Sequence, residues 1–288
     1  MIILSNGHSF TFMAASGALA YDGRGWPWEW PLRWVGLLDP SLFTVVTKTL
    51  TRHPRKGNLR WYNPFRVVRP LPQGAVNAVG LTNPGIEWWI NRVAPRLGRY
   101  RHKVIVSLEA EDETGLLEMI RMVRKCGAGN LVGIELNASC PNTFQEGAST
   151  GKTVRIVRAA KQESGLPLLL KLGVTHDYLT IARELKGVAE AVAVNSVPWS
   201  VAFPGRKSPL GRFGGGGVSG KIAQPWTWKM AGELVSTGLP VIGPSAWEYG
   251  DIRRLFDLGA RAVSFGSVFL RHPWRPSRLV RRWRRSAS

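Results

Sequence analysis

The chain has 288 residues, 44 % of them hydrophobic, which is enough for one large core of barrel size or two small ones. A formal charge of +20 raises the local concentration of anionic partners, and no apolar run approaches the roughly 18 residues that a membrane span requires. Two cysteines, Cys126 and Cys140, exclude a disulfide framework, and no basic segment precedes the short apolar start, which argues against a secretory signal and for a cytoplasmic protein.

In chain order, apolar runs bounded by turn signals predict strands at Phe10–Ala14 and Phe43–Thr47. Between them, Trp26–Trp34 is interrupted by prolines and reads as a packed surface loop. Thr49–Leu71 lacks a helical pattern and is expected to fold over one end of the sheet, together with Asn77–Asn83. Further strands are predicted at Val104–Leu108, Val132–Leu136, Leu168–Lys171, Ala191–Asn195, Pro240–Gly243 and Ala262–Gly266. Amphipathic patterns at Glu113–Lys125, Thr153–Gln162, Tyr178–Leu185, Pro225–Val235 and Tyr249–Leu258 predict helices among the later ones. This alternation implies a parallel sheet, and eight strands in a chain of this length close most economically into a single (β/α)8 TIM barrel over residues 1–270. An open, doubly wound sheet is the alternative. Residues 271–288 carry seven arginines with Trp274 and Trp283 and no acid. They read as a basic tail or helix that either covers the barrel or contacts nucleic acid or an anionic membrane.

Catalytic groups of such barrels sit at the C-terminal strand ends. Here those ends read Ala15-Ser16-Gly17, Thr47-Lys48-Thr49, Ser107, Asn137 to Cys140, Lys171, Asn195-Ser196, Gly243-Pro244-Ser245, and Gly266-Ser267. Small and hydrogen-bonding residues gathered on one rim point to a composite site. Pro141 stops the strand before it and leaves Cys140 in a turn. A thiol, with a reference pKa of about 8.5, takes up a proton readily when cations are near, and Lys48 and Lys171 end apolar strands on the same rim. A buried structural cysteine and two snorkelling lysines are the plainer alternatives. Asn77, Asn137, Asn142 and Asn195 offer the paired donors and acceptors that read a planar heterocycle, although asparagine also favours turns. The run Gly214–Lys221 has Ile222 where a magnesium-holding hydroxyl would stand, which argues against a nucleotide hydrolase. Its backbone N–H groups, with Gly243 and Gly266-Ser267, can still cradle a phosphate. No histidine pair or cysteine cluster marks a metal site, and no Gly-x-Ser-x-Gly elbow marks a hydrolase.

Together these residues resemble the dihydroorotate dehydrogenases, from about Phe10 to Phe269. Phe12-Met-Ala-Ala-Ser16-Gly17 and Thr47-Lys48-Thr49 are similar to the first two flavin-contacting strands. Asn77-Ala-Val79-Gly80-Leu81, followed by Asn83, is similar to the substrate-side loop. Asn137-Ala-Ser-Cys140-Pro-Asn142 is the most specific match, with Lys171-Leu-Gly, Val194-Asn195-Ser196 and Gly216-Gly217-Val-Ser-Gly220 at the expected intervals.

The resemblance implies FMN as cofactor, oxidation of dihydroorotate to orotate in pyrimidine biosynthesis, and a class 1 enzyme in which Cys140 is the base while hydride passes to flavin N5. It places Lys48, Asn77, Val79, Gly80, Leu81, Asn137, Asn142, Asn195 and Ser196 around the substrate. It places Ala15, Ser16, Gly17, Lys48, Thr49, Ser107, Asn137, Lys171, Val194, Gly220, Gly243, Ser245, Ala246, Gly266 and Ser267 around the flavin. A homodimer is expected, with fumarate as electron acceptor, or NAD through an iron-sulfur flavoprotein partner. The chain departs from the family pattern in Gly243-Pro244-Ser245, where a glycine pair is usual, and in Asn58-Leu-Arg60, where Asn-Pro-x-Pro-Arg is usual. The alternatives are another dihydropyrimidine as substrate, or a non-catalytic basic barrel.

Overall fold

The computed structural model describes residues 1–60, 62–110, 112–138 and 150–287. Among them the strands are β1 (Ile2–Ile3), β2 (Ser9–Phe10), β3 (Phe12–Ala14), β4 (Thr44–Val46), β5 (Val68–Leu71), β6 (Gly74–Asn77), β7 (Lys103–Leu108), β8 (Leu131–Asn137), β9 (Leu168–Leu172), β10 (Ala191–Val194), β11 (Val197–Pro198), β12 (Gly217–Gly220), β13 (Val241–Gly243) and β14 (Ala262–Phe265). The helices are α1 (Trp30–Trp34), α2 (Ile86–Arg92), α3 (Glu113–Lys125), α4 (Thr150–Ser164), α5 (Tyr178–Glu184), α6 (Trp199–Ala202), α7 (Gln224–Val235), α8 (Tyr249–Asp257), α9 (Ser267–Arg271) and α10 (Arg275–Ala287).

Strands β3, β4, β7, β8, β9, β10, β13 and β14 pair in parallel and close into a barrel. The expected TIM barrel is therefore present, and every predicted barrel strand has its counterpart. Side chains alternate across each strand. Val104, Val106 and Leu108 of β7 and Ile134 and Leu136 of β8 face outward, onto the Leu116, Met119, Ile120 and Val123 face of α3. That face follows the i, i+3, i+4, i+7 spacing, and Asp112 caps the helix by accepting a bond from the Gly115 N–H.

Inward-facing Met13, Ile105, Leu169, Ile242 and Ala262 fill the lower barrel, which Ile2, Leu4 and Phe10 of the β1–β2 hairpin plug from below. Two residues further along the same strands, the inward positions become polar. Ser107 follows Ile105, Glu135 follows Gly133, and Lys171 follows Leu169. The barrel axis thus runs from an apolar floor to a polar rim.

Two expectations change. Trp26–Trp34 is not a loop: a 3₁₀ turn at Pro27–Glu29 leads into α1. Each proline occupies the first turn of its element, where its missing N–H has no intrahelical partner to lose. The glycine run is only partly a loop, because Gly217–Gly220 forms β12 in a second, antiparallel sheet of order β11-β12-β6-β5. Val68–Leu71, inside the stretch read as having no helical pattern, is an edge strand of that sheet. Short glycine-rich segments carry little signal by themselves, and these strands exist because distant segments pair.

The arginine-rich C-terminus is not a free tail. Arg271 ends α9, and α10 buries Leu279 and Val280 in the cluster formed with Phe12, Val263 and Phe265, while Trp283 meets Phe12 and Phe256 edge-on or tilted. Following β14, α10 acts as the last barrel helix, with its arginines turned outward. Leu279→Ala is expected to destabilise the protein by about 2 kcal/mol, the lower end for truncating a buried leucine, read from urea unfolding. No helix among the described residues is long and apolar enough to cross a membrane.

Candidate active site

The C-terminal rim gathers most of the residues singled out from sequence. A chain of hydroxyls crosses it. Ser16 Oγ donates to the Thr47 carbonyl and lies 3.0 Å from Thr49 Oγ1, which lies 3.0 Å from Ser107 Oγ. Ser107 in turn donates to Glu135 Oε1 at 2.8 Å. Glu135 is 2 % exposed and stands 3.9 Å from Lys171 Nζ. This relay links five consecutive barrel strands or their ends and terminates in a buried ion pair. Glu135 was not among the candidates. The signal was available, since a carboxylate inside the apolar run Leu131-Val-Gly-Ile-Glu-Leu must find a partner within the barrel.

Lys48 follows β4, and its stem packs against Gly17, whose φ of +79° only glycine adopts freely. Its backbone N–H donates to the Ala20 carbonyl. Burial, then the neighbouring Lys171 cation, pushes the Lys48 ammonium down to about 8. Among the described residues no carboxylate pairs with it, so an anion arriving at the rim meets a cation whose charge is not already compensated. The folded state holds Lys48 below its ordinary value of 10.5, so between pH 8 and 10.5 the unfolded chain binds the extra proton and raising the pH stabilises the fold through this group. The stability difference between wild type and Lys48→Met is therefore expected to shift in favour of wild type as pH climbs through that window, measured by urea unfolding at fixed salt. Binding of an anionic ligand is expected to weaken over the same rise, as the charge is lost.

A second group lies under the small sheet. Asn77 ends β6 and its amide reaches the Gly217 carbonyl at 3.5 Å, while a Cβ on Gly217 would stand 2.3 Å from Ser196 Oγ. Asn195 accepts the Ser196 N–H through its side-chain oxygen, and its own N–H donates to Leu172. Asn137 closes β8 in register with Lys171. Val79, Gly80 and Leu81 form a turn in which Gly80 and Leu81 take positive φ, and Asn58 donates to the Ala78 carbonyl beside it. The Val79 carbonyl accepts from the Asn58 N–H, which fastens the turn to that stretch of chain.

A third group is a cradle. Gly220 has φ +96°, and a Cβ there would lie 3.0 Å from Ser267 Oγ and 2.7 Å from Gly74 Cα. Ser267 Oγ is buried and has no hydrogen-bond partner among the described residues. An orphaned hydroxyl facing a glycine that must stay bare fits a phosphate group. Ala15, whose N–H donates to Phe265, and Gly266 adjoin it, and Val194 ends β10.

The loop after β13 is arranged differently from the rest of the rim. Gly243 faces the helix layer, where a Cβ would press on Leu255 and Ala260 at 3.1–3.2 Å. Ser245 adopts φ +61° with its hydroxyl 3.2 Å from Thr227 Oγ1, its carbonyl accepts from Gln224, and Ala246 is buried with Trp247. The left-handed backbone at Ser245 accounts for a glycine being usual there. Cys140 and Asn142, with the rest of 139–149, lie outside the described residues. Cys126, at the end of α3, is a half-buried free thiol whose pKa burial pushes up, so it is no candidate for a poised base. Among the described residues no group of His, Cys, Asp or Glu could hold a metal.

A closed parallel barrel whose rim gathers two lysines, a chain of hydroxyls and a buried serine hydroxyl facing a bare glycine is a TIM barrel with the polar C-terminal rim that carries active sites in this architecture. The chain belongs to the dihydroorotate dehydrogenase family, a flavin-dependent family that it matches over residues 34–279. It is 33 % identical over 244 residues to the dihydroorotate dehydrogenase B (NAD(+)) catalytic subunit of Desulforudis audaxviator, covering 81 % of this chain and 76 % of that protein. The subunits of the same name from Bacteroides fragilis, 30 % identical over 237 residues, and Caldicellulosiruptor saccharolyticus, 29 % over 248, cover 78 % and 82 % of this chain and 75 % and 79 % of those proteins.

Proposed function

We propose that this chain oxidises dihydroorotate to orotate in pyrimidine biosynthesis, with FMN held at the barrel rim and Cys140 as general base. The observation that carries the reading is the pairing of Lys48 and Lys171 on the rim beside the strand that leads into Asn137 and Cys140. Lys48, with its uncompensated charge, meets the substrate carboxylate and helps hold the Cys140 thiol near deprotonation. Asn77, Asn137, Asn142, Asn195 and Ser196 orient the pyrimidine ring through its amide edges. Cys140 removes the ring proton and keeps it on sulfur. Lys171, fixed by Glu135, faces the flavin ring, and Gly220 and Ser267 hold the phosphate end. FMN, when bound, supplies the acceptor for the hydride that leaves the substrate.

The relatives are named as NAD(+) enzymes and as catalytic subunits, which supports a second subunit that passes electrons to NAD and favours this route over fumarate. That partner would carry the redox centres, because two cysteines are too few to ligate a cluster within this chain. A homodimer of this chain remains part of the proposal.

The test is a visible spectrum of the purified protein, followed by addition of dihydroorotate. Flavin absorption that bleaches as orotate forms supports the reading, and a protein that binds no FMN and makes no orotate when FMN is supplied overturns it. Dihydrouracil lacks the carboxylate that Lys48 is assigned to meet, so equal turnover on dihydrouracil would reassign the substrate.

A further inference from the structure

At the opposite end of the barrel from the rim lies a cavity of about 500 Å³, a volume typical of small-molecule sites. It is lined where β3, β4 and β7 begin, between the β1–β2 hairpin and α10, and the site described above uses none of it. Three cationic side chains enter its wall from separate elements: Arg101 and Lys103 from the approach to β7, and Arg284 from α10. No aspartate or glutamate lines it. None of the three cations makes an ion pair among the described residues, and Lys103 spends one N–H on a neutral acceptor, Asn130 Oδ1 at 2.8 Å. His8 Nε2 lies 2.8 Å from Thr44 Oγ1 at the same wall, and burial together with Lys103 lowers its pKa, which keeps the imidazole neutral. Like charges are gathered here, and among the described residues no ion pair neutralises them; the nearby Asp39 carboxylate is engaged by Arg281 and Ser41.

We propose that this cavity is a second anion site, which takes the phosphate group of a phosphorylated ligand at the end of the barrel remote from the chemistry. Three cations suit a dianionic tetrahedral group with several acceptor oxygens better than a singly charged planar carboxylate. Thr44 supplies a hydroxyl beside His8, and Trp283 gives the rest of the ligand an apolar wall. The same chemistry can arrive in two ways, as a free phosphorylated small molecule or as a phospholipid headgroup. The second has a physical basis in Trp34, Val35 and Leu37, which are exposed on the segment that leads to Ser41.

The test uses the full chain in two arms at physiological salt. Pyrophosphate and uridine monophosphate are titrated by calorimetry, and vesicles of phosphatidylcholine with and without phosphatidylglycerol are tested by co-sedimentation. Each is repeated with an Arg101→Gln/Arg284→Gln double variant and with Arg92→Gln/Arg96→Gln, which loses the same charge on α2 and the turn after it. Saturable binding in either arm that weakens about tenfold or more in the first variant and little in the second supports the site, and the arm that responds identifies the source. No binding in either arm overturns it. So does equal weakening in both variants, which marks net charge alone, and so does binding unchanged by the first variant, which places the anion at the catalytic rim. Arg101 and Arg284 are exposed and unpaired among the described residues, so both variants are expected to unfold at the wild-type temperature. None of these outcomes depends on turnover, so the proposed activity stands or falls separately.

Discussion

Cys140→Ser is expected to retain FMN while slowing oxidation of dihydroorotate by about a hundredfold or more near neutral pH, the range that a positioned general base contributes. The physical reason is the gap between the two side chains as proton acceptors. A thiol titrates close to neutrality and moves closer when cations stand near it, whereas a serine hydroxyl holds its proton throughout the working range and needs help to accept another. The wild-type rate is expected to rise with pH as the thiol ionises, and this limb is expected to vanish in the variant. Stopped-flow bleaching of the bound flavin across a pH series measures both effects. Cys126→Ser is the matched control, because that thiol is half-buried at the end of α3 with its pKa pushed up, and it is expected to leave the profile unchanged. An undiminished rate in Cys140→Ser would remove the role assigned to this residue.

Glu135→Leu is expected to produce the largest loss of stability, about 3 kcal/mol, because it strands a buried cation. Among the described residues Glu135 is the carboxylate paired with Lys171, whose cation already helps lower the pKa of Lys48. For a chain of this size each kcal/mol lowers the melting temperature by roughly 2–4 °C, so differential scanning calorimetry resolves the effect. Removing Lys171 as well, in Glu135→Leu/Lys171→Met, deletes both charges and is expected to recover most of the loss. Glu135→Gln keeps the bond from Ser107 and is expected to fall between. A double variant no better than the single one would show that the carboxylate stabilises the barrel through the hydroxyl relay rather than through Lys171.

Much of the fold was legible because barrel strands are buried on both faces and so read as unbroken apolar runs. Val104–Leu108 and Leu168–Lys171 needed no tertiary context. The small sheet was not legible. Gly217–Gly220 has no apolar pattern and becomes a strand only because Gly74–Asn77 lies against it. The rim residues were found by asking what stands one step beyond each apolar run, which recovered Lys48, Asn137, Lys171 and Asn195. The same question passed over Glu135, because it sits within its run rather than after it. It also could not distinguish Gly220, whose bare Cα faces Ser267, from Gly243, whose bare Cα accommodates Leu255 and Ala260. Sequence shows that a side chain is missing, and only packing shows what uses the space. The basic C-terminus illustrates the converse, since its arginines dominate the composition while Leu279, Val280 and Trp283 decide where it goes.

The small sheet over the rim joins residues as far apart as Asn77 and Gly217, about 140 positions along the chain. Contacts of such separation carry a loop-closure cost that pairs of neighbouring strands and helices do not. Gly220, proposed above to hold the cofactor phosphate with Ser267, belongs to that sheet, so their juxtaposition cannot exist before the sheet does. Under that proposal, capture of the cofactor is a checkpoint on assembly, because a barrel whose small sheet has not formed lacks one wall of the site.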